Sequence, residues 1–224
     1  MSKSPTTAKP KTKPSKRVAV KAGDKVKKSA SKAAAKAAQL DQDLTHAAAQ
    51  ARRHPVTRAV AMVAELADQP PLIAASFGTL AVGLIGGRAD LARGGARMLA
   101  SHLLATGAKQ VIKHHVARTR PGPALDKGET KFELGDTHEH DETSFPSGHT
   151  AGAVAVARAA SREIDGAAGP SALAAGAVAA AQAPTGHHYL SDVIAGAVIG
   201  WVSEAVVSAV FDRLEPKVEA AVGS

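Results

Sequence analysis

The sequence predicts an all-α protein, with a helical bundle of about five core helices behind a disordered basic N-terminal tail. Alanine and glycine are abundant while aromatic residues make up only 3% of the chain, and this composition favours closely packed helices over strands. Several long stretches carry no charge and have the length of helices. The 224 residues suffice for one domain with a substantial core. Since cysteine is absent, disulfides, zinc–thiolate sites and thiol nucleophiles are excluded.

The positive charge of the protein is concentrated at its N-terminus. The net charge is +8, yet residues 1–39 hold twelve Lys and Arg against Asp24 alone, so the rest of the chain is slightly negative. The Lys, Pro, Ser, Thr and Ala of this stretch offer almost nothing to bury, which predicts disorder. We therefore predict three parts: a disordered polybasic tail over 1–39, amphipathic helices over 40–67 with a break at Pro55, and a helical bundle over 68–214.

Two uncharged segments have the length of membrane-spanning helices. Residues 69–87 are nineteen uncharged positions and form the best transmembrane candidate. Residues 166–186 are also uncharged, and their Ala and Gly content suits a helix packed against others within a membrane. Residues 193–203 fall short because Glu204 follows them. Hydropathy alone leaves a soluble Ala-rich bundle equally open.

Three short segments carry reactive side chains in a fixed order. The first ends a helix at a proline and is rich in cations. The second begins a helix, where unpaired backbone N–H groups would face an anion and a histidine stands next to them. The third places a histidine four residues before an aspartate, so that on a helix the carboxylate would orient the imidazole. Each segment alone also fits an ordinary helix end. In chain order the side chains are Lys113 and Arg120, then Ser147, Gly148 and His149, then His188 and Asp192.

Taken together, Lys113-x6-Arg120-Pro121, Pro146-Ser-Gly-His149 and His188-x3-Asp192 resemble the signature of the type-2 phosphatidic acid phosphatase and vanadium haloperoxidase superfamily. The resemblance covers roughly residues 90–212. It implies a metal-independent phosphatase without a cofactor, in its membrane lipid phosphatase branch.

The resemblance also implies a role for each matching residue. His188 would attack phosphorus to form a phosphohistidine, Asp192 would orient it, and His149 would protonate the leaving oxygen. The equatorial phosphate oxygens, where charge gathers in phosphoryl transfer, would be held by four groups. These are the side chains of Lys113 and Arg120, the Ser147 hydroxyl and the Gly148 backbone N–H.

Two adjacent positions depart from the family pattern. The family has Ser-Arg ahead of the nucleophilic histidine, where this chain has Ala181 and Gln182. Gln182 could bind phosphate as a neutral donor, but losing a charge-assisted contact costs on the order of 2 to 4 kcal/mol in the transition state. One hypothesis is that His187 or Arg118 supplies a compensating charge. The competing one is a weakly active or non-catalytic relative that binds phosphate or vanadate, as a haloperoxidase does.

The segment from Gly122 to Ser144 is rich in Asp, Glu and His. We predict a solvated lid rather than a metal site, because no ligand spacing in it is diagnostic and acidic groups would repel a phosphate.

The favoured hypothesis is an integral phosphatase of a cell membrane, of the bacterial inner-membrane type, acting on a lipid phosphate or pyrophosphate. The tail over 1–39 would then lie along anionic lipid, and the side of the membrane that the site faces stays open. A nucleic-acid-binding protein is the alternative from another class, but it explains the tail alone. The expected bundle helices are 69–87, 90–113, 147–163, 169–185 and 191–212.

Overall fold

The computed structural model describes residues 16–135 and 139–222, and the chain divides into two units, residues 1–40 and 41–224. The described part contains eight α-helices, three short 3-10 turns and one small sheet. The helices are α1 Lys16–Ala49, α2 Pro55–Ala64, α3 Gln69–Ile85, α4 Ala89–Lys113, α5 Pro121–Lys127, α6 Gly148–Glu163, α7 Ala168–Ala181 and α8 Leu190–Val222. The strands are β1 Val116–Arg118 and β2 Phe132–Leu134, and the 3-10 turns are Gln50–Arg53, Glu65–Ala67 and His140–Glu142.

The N-terminal region is more helical than the composition predicted. Disorder was expected throughout residues 1–39, whereas α1 begins at Lys16. The physical reason is that Ala and Lys are strong helix formers, and the three prolines of this stretch all precede Lys16. The side chains from Lys27 to Leu40 are exposed, as a segment with little to bury requires. Residues 1–15 of the predicted tail lie outside the described residues.

The predicted all-α bundle is confirmed, and its five core helices are α3, α4, α6, α7 and α8. The helix α6 contacts α4, α7 and α8 at once. Its stripe of Ala151, Ala155 and Ala159, one helical turn apart, is fully buried. Small side chains on α6 therefore let three neighbouring helices approach it closely.

Glycines set the closest approach within the bundle. A Cβ atom on Gly196 of α8 would lie 2.4 Å from the carbonyl oxygen of Ser147, at the start of α6. A Cβ on Gly95 of α4 would lie 2.2 Å from the backbone nitrogen of Leu80 in α3. Backbone thus packs directly on backbone at both crossings, as in small-residue contacts between membrane helices.

The structure adds a membrane-spanning candidate to the one that ranked first in the sequence, residues 69–87. Among the described residues, the helix long and apolar enough to cross a membrane is Leu190–Leu214, with a mean hydropathy of 1.9. Gln69–Ile85 is apolar but has only 17 residues. The sequence excluded residues 193–203 as a membrane span because the charged Glu204 follows them. In the structure the Glu204 carboxylate is fully buried and paired with Arg158 and Arg162 of α6. The ion pairs with the two arginines keep the charge of Glu204 inside the bundle, away from any lipid that would surround α8.

The predicted lid has more secondary structure than expected. The helix α5 begins at Pro121, and β1 and β2 form a two-stranded antiparallel sheet in which Arg118 lies opposite Phe132. Two of its acidic side chains pair with lysines, Asp141 with Lys127 at 3.1 Å and Glu142 with Lys131 at 3.0 Å. Residues 136–138 of this segment lie outside the described part of the chain.

Candidate active site

A polar pocket of about 420 Å³ brings together side chains from all three sequence segments. It lies where α4 ends and α6 begins. Five of the eight predicted site residues line it, namely Lys113, Arg120, Gly148, His149 and His188. Lys109, His187, Glu65 and Asp68 line it as well, although sequence reasoning assigned no such place to Lys109 or to the two acids.

His188 is buried, with 1% of its surface exposed, at the inner wall of this pocket. Its Nδ1 lies 2.6 Å from the carbonyl oxygen of Ser144. Because a carbonyl oxygen only accepts, Nδ1 must carry the proton, and Nε2 keeps its lone pair. Burial lowers the pKa of His188 to about 4, against the opposing effect of Asp192, so the ring is neutral at physiological pH. A neutral imidazole with a defined free nitrogen is the form that a nucleophile needs.

Asp192 acts on His188 less directly than predicted. Its Oδ2 lies 3.9 Å from Nδ1, which is beyond hydrogen-bonding distance. The same oxygen accepts from the Ser144 hydroxyl at 2.6 Å and from the Tyr189 backbone N–H at 2.8 Å. Asp192 therefore holds Ser144, whose carbonyl in turn orients the imidazole.

Arg118 closes the network behind Asp192. Arg118 is 7% exposed, and its guanidinium donates to both Asp192 and Asp41, the latter at 2.8 Å. Its carbon Cζ lies 3.9 Å from the centroid of the Tyr189 ring, a cation–π contact. Arg118 is not among the residues that line the pocket, so a charge supplied by it would act on a phosphate only from behind Asp192.

The end of α1 completes this network, which the sequence did not reveal. Asp41 accepts from the backbone N–H of Ser191 at 3.0 Å, and the Thr45 hydroxyl accepts from that of Leu190 at 3.2 Å. Both N–H groups belong to the first turn of α8, where a helix has no partners of its own. The signal in the sequence was the spacing of Asp41 and Thr45, four residues apart on one helix face.

The cations of the pocket come mainly from the predicted helix end. The Lys113 ammonium donates to the Thr143 carbonyl at 3.0 Å, and Arg120 donates through Nε to the His140 carbonyl at 3.0 Å. Both side chains are thus positioned by the lid segment while they face the pocket. Lys109 lies one helical turn before Lys113, and that spacing could have identified it.

The helix start at Ser147 differs in part from expectation. The Ser147 hydroxyl is fully buried and caps α6 by accepting from the Thr150 backbone N–H at 3.4 Å. It also bonds to the Thr150 hydroxyl at 3.0 Å, so it does not reach into the pocket as a phosphate ligand. Gly148 and His149, the first helical residues, do line the pocket.

Gln182 is the largest departure from the predicted site. Its side chain is 1% exposed, and its Nε2 donates to the Val178 carbonyl of its own helix at 2.9 Å. The side chain does not line the pocket, so the prediction of Gln182 as a phosphate ligand is not supported. His187 does line the pocket. Burial lowers the pKa of His187, and the positive charge of nearby Arg120 lowers it further. Burial thus disfavours the charged form of that histidine.

Glu65, Asp68 and His149 form a separate group at the pocket, with ligand atoms within 4.8 Å of one another. Both carboxylates are exposed, which is common without any metal. This group is distinct from the acidic segment 122–144 that the sequence analysis had considered.

Comparison with known proteins agrees with this geometry. The family model described as the PAP2 superfamily matches residues 94–216, more than half of the chain, and the chain belongs to this family. The fold is similar to LpxE from Aquifex aeolicus (TM-score 0.56, 20% identity, 75% of this chain and 93% of that one). It is also similar to the transmembrane PAP2-type phosphatidylglycerolphosphate phosphatase from Bacillus subtilis (TM-score 0.54, 17% identity, 80% and 87%). The comparison with curated proteins found no match.

Proposed function

We propose that the protein is a metal-independent phosphatase that hydrolyses a lipid phosphate or pyrophosphate through a phosphohistidine intermediate. The observation that carries this proposal is the state of His188: neutral, oriented through Nδ1, and lining a pocket with Lys113 and Arg120. A nucleophile and cations in one cavity are the elements that phosphoryl transfer requires.

The chemistry follows from these positions in two steps. First, the lone pair of His188 Nε2 forms a bond to phosphorus while the bond to the leaving oxygen breaks, and His149 gives that oxygen a proton. Second, a water molecule gives a proton back to His149 and its oxygen attacks phosphorus, which breaks the phosphorus–nitrogen bond and releases inorganic phosphate. The Ser144 carbonyl and Asp192 stabilise the imidazolium that develops in the first step.

Three observations support a lipid as the substrate. An apolar groove of about 260 Å³ lies between α2, α6 and α7, and the turn Glu65–Ala67 borders both this groove and the polar pocket. A hydrocarbon chain in the groove would place an attached phosphate near His149. The helix α8 exposes apolar side chains, among them Ile194, Val198 and Trp201, as a lipid-facing helix does. The similar Bacillus subtilis protein is named for a lipid substrate.

We further propose that the protein is integral to a membrane of the bacterial inner-membrane type. The basic residues 1–39 would be attracted to anionic lipid, at roughly 1 kcal/mol for each basic side chain near the surface. Removing this tail should weaken binding to anionic vesicles and leave phosphatase activity intact.

Phosphate release from a panel of lipid phosphates tests the proposal. Purified membranes containing the full chain should release phosphate, and His188→Ala should abolish the release. His54→Ala is the matched control, because His54 is exposed and outside the pocket. Rapid quenching with a substrate labelled in its phosphate should trap an acid-labile, base-stable label on the protein. Equal release by wild type and His188→Ala would refute the proposal and leave a phosphate-binding relative.

A further inference from the structure

Lys109 places an ammonium at the polar pocket, which the carboxylates of Glu65 and Asp68 also line. Its residue is 9% exposed, and its ammonium has no hydrogen bond or ion pair among the residues that the structure describes. A largely desolvated ammonium that makes no direct contact with a carboxylate gains from an anion that binds next to it. Lys113 differs, because its ammonium already donates to Thr143.

The position of the ammonium shows where that anion would bind. The Nζ atom of Lys109 lies 2.7 Å from the place that a Cβ atom on Gly148 would occupy. Glycine at this position therefore lets the ammonium lie against the first residue of α6, where backbone N–H groups have no helical partner. An anion there would meet the ammonium, these N–H groups and the other cations of the same pocket.

The position where the family places an arginine makes no such contact. The amide of Gln182 donates into its own helix, and its Oε1 is buried without a partner among the described residues. The chain thus lacks a cation at residue 182 and has an additional one at Lys109. His187 and Arg118 are less suited to fill the gap, since burial lowers the pKa of the first and the second pairs with Asp41 and Asp192.

We propose that Lys109 binds the substrate phosphate as a third cation and takes the place of the arginine missing at Gln182. This inference rests on the proposed phosphatase function for the identity of its ligand, but phosphate binding can be tested without turnover. An ammonium is a point charge, whereas a guanidinium forms two parallel bonds to phosphate, so the replacement is electrostatic rather than geometric.

Binding of inorganic phosphate and orthovanadate to the purified full chain tests the proposal. Lys109→Met should weaken binding at least about tenfold, equivalent to about 1.4 kcal/mol. Lys109→Arg should retain most of the affinity, and Lys36→Met, which changes an exposed lysine of α1, should match wild type. Without phosphate, the melting temperature of Lys109→Met should equal or exceed that of wild type, because the variant removes a largely desolvated charge. Phosphate affinity within twofold of wild type in Lys109→Met would overturn the proposal.

A second variant tests whether Lys109 stands in for the missing arginine. Gln182→Arg in the Lys109→Met background should restore phosphate affinity, and the same change in wild type should produce a smaller gain. Equal gains in both backgrounds would overturn the replacement, because the two cations would then act independently.

The failure of this proposal and that of the proposed function can be told apart. If wild type and His188→Ala release no phosphate from any lipid while Lys109→Met still loses phosphate affinity, hydrolysis is refuted and the anion site stands. If His188→Ala abolishes release while Lys109→Met binds phosphate like wild type, the phosphatase stands and the role of Lys109 is refuted.

Discussion

The contact between Asp41 and the start of α8 predicts that a residue outside the PAP2 match supports the site. Asp41 accepts hydrogen bonds from Arg118, the Ser191 backbone N–H and the Ser191 hydroxyl, and only 13% of its side chain is exposed. Asp41→Asn keeps the shape, removes the charge and replaces one accepting oxygen by a donor. At least one charge-assisted bond is lost, and such bonds contribute about 1.5 to 3 kcal/mol each.

The consequence should reach both stability and activity. A loss of about 2 kcal/mol lowers the melting temperature by about 4 to 8 °C in a domain of this size. Activity should fall about tenfold, because Arg118 then pairs with Asp192 alone and the first turn of α8 loses an N-cap that positions Asp192. The assays are thermal unfolding in detergent and phosphate release from a lipid phosphate.

Asp43→Asn is the control, since it makes the same change of charge at an exposed position of the same helix. Rescue by Asp41→Glu would indicate that the carboxylate itself is needed. If Asp41→Asn and Asp43→Asn behave alike in both assays, Asp41 plays no part in positioning the site.

Three further predictions concern the pocket and the bundle around it. His188 should stay neutral well below pH 6.5, since burial lowers its pKa to about 4 and protonation begins only as the pH falls towards that value. A pH titration followed by NMR measures this, and the His188 signals are identified as those missing from the spectrum of His188→Gln. Gly196→Ala should cost about 1 to 3 kcal/mol of stability and reduce activity, because the new methyl group would lie 2.4 Å from the Ser147 carbonyl. Glu204→Gln should lower the free energy of unfolding by about 2 to 4 kcal/mol, since it leaves two arginines of α6 without their buried counter-charge. Thermal unfolding measures the stability of the Gly196 and Glu204 variants.

Each of these predictions has an outcome that contradicts it. Titration of the His188 signal near pH 6.5 would mean that the ring is solvated. Gly176→Ala is the control for Gly196, because a Cβ at Gly176 meets nothing within 4 Å; equal melting temperatures for the two variants would refute the close crossing of α6 and α8. An unchanged melting temperature in Glu204→Gln would show that the arginines are satisfied by solvent.

The helices could be predicted from the sequence because their determinants are local. The sequence predicts α3, α4 and α6 to within two residues at each end, since helix formation depends on neighbours along the chain. The end of α7 was less predictable. The four residues from Gln182 to Thr185 were expected in the helix but form a tight turn. In this turn the Thr185 N–H donates to the Ala181 carbonyl and the Gly186 N–H to the Ala183 carbonyl. Residues 16–39 differ from the predicted disorder because Ala and Lys favour a helix even where there is little to bury.

The order and spacing of the three segments were by themselves enough to indicate a phosphate site, because Lys113, Arg120, His149 and His188 all lie at helix ends that the sequence marks. The tertiary structure alone decided which neighbouring side chains face that site. Lys109 points into the pocket while Gln182 and Arg118 point away from it, and Asp41 reaches the site from a helix outside the matched region. The physical reason is that side-chain direction depends on how each helix is rotated against its neighbours, and close packing on small residues sets that rotation.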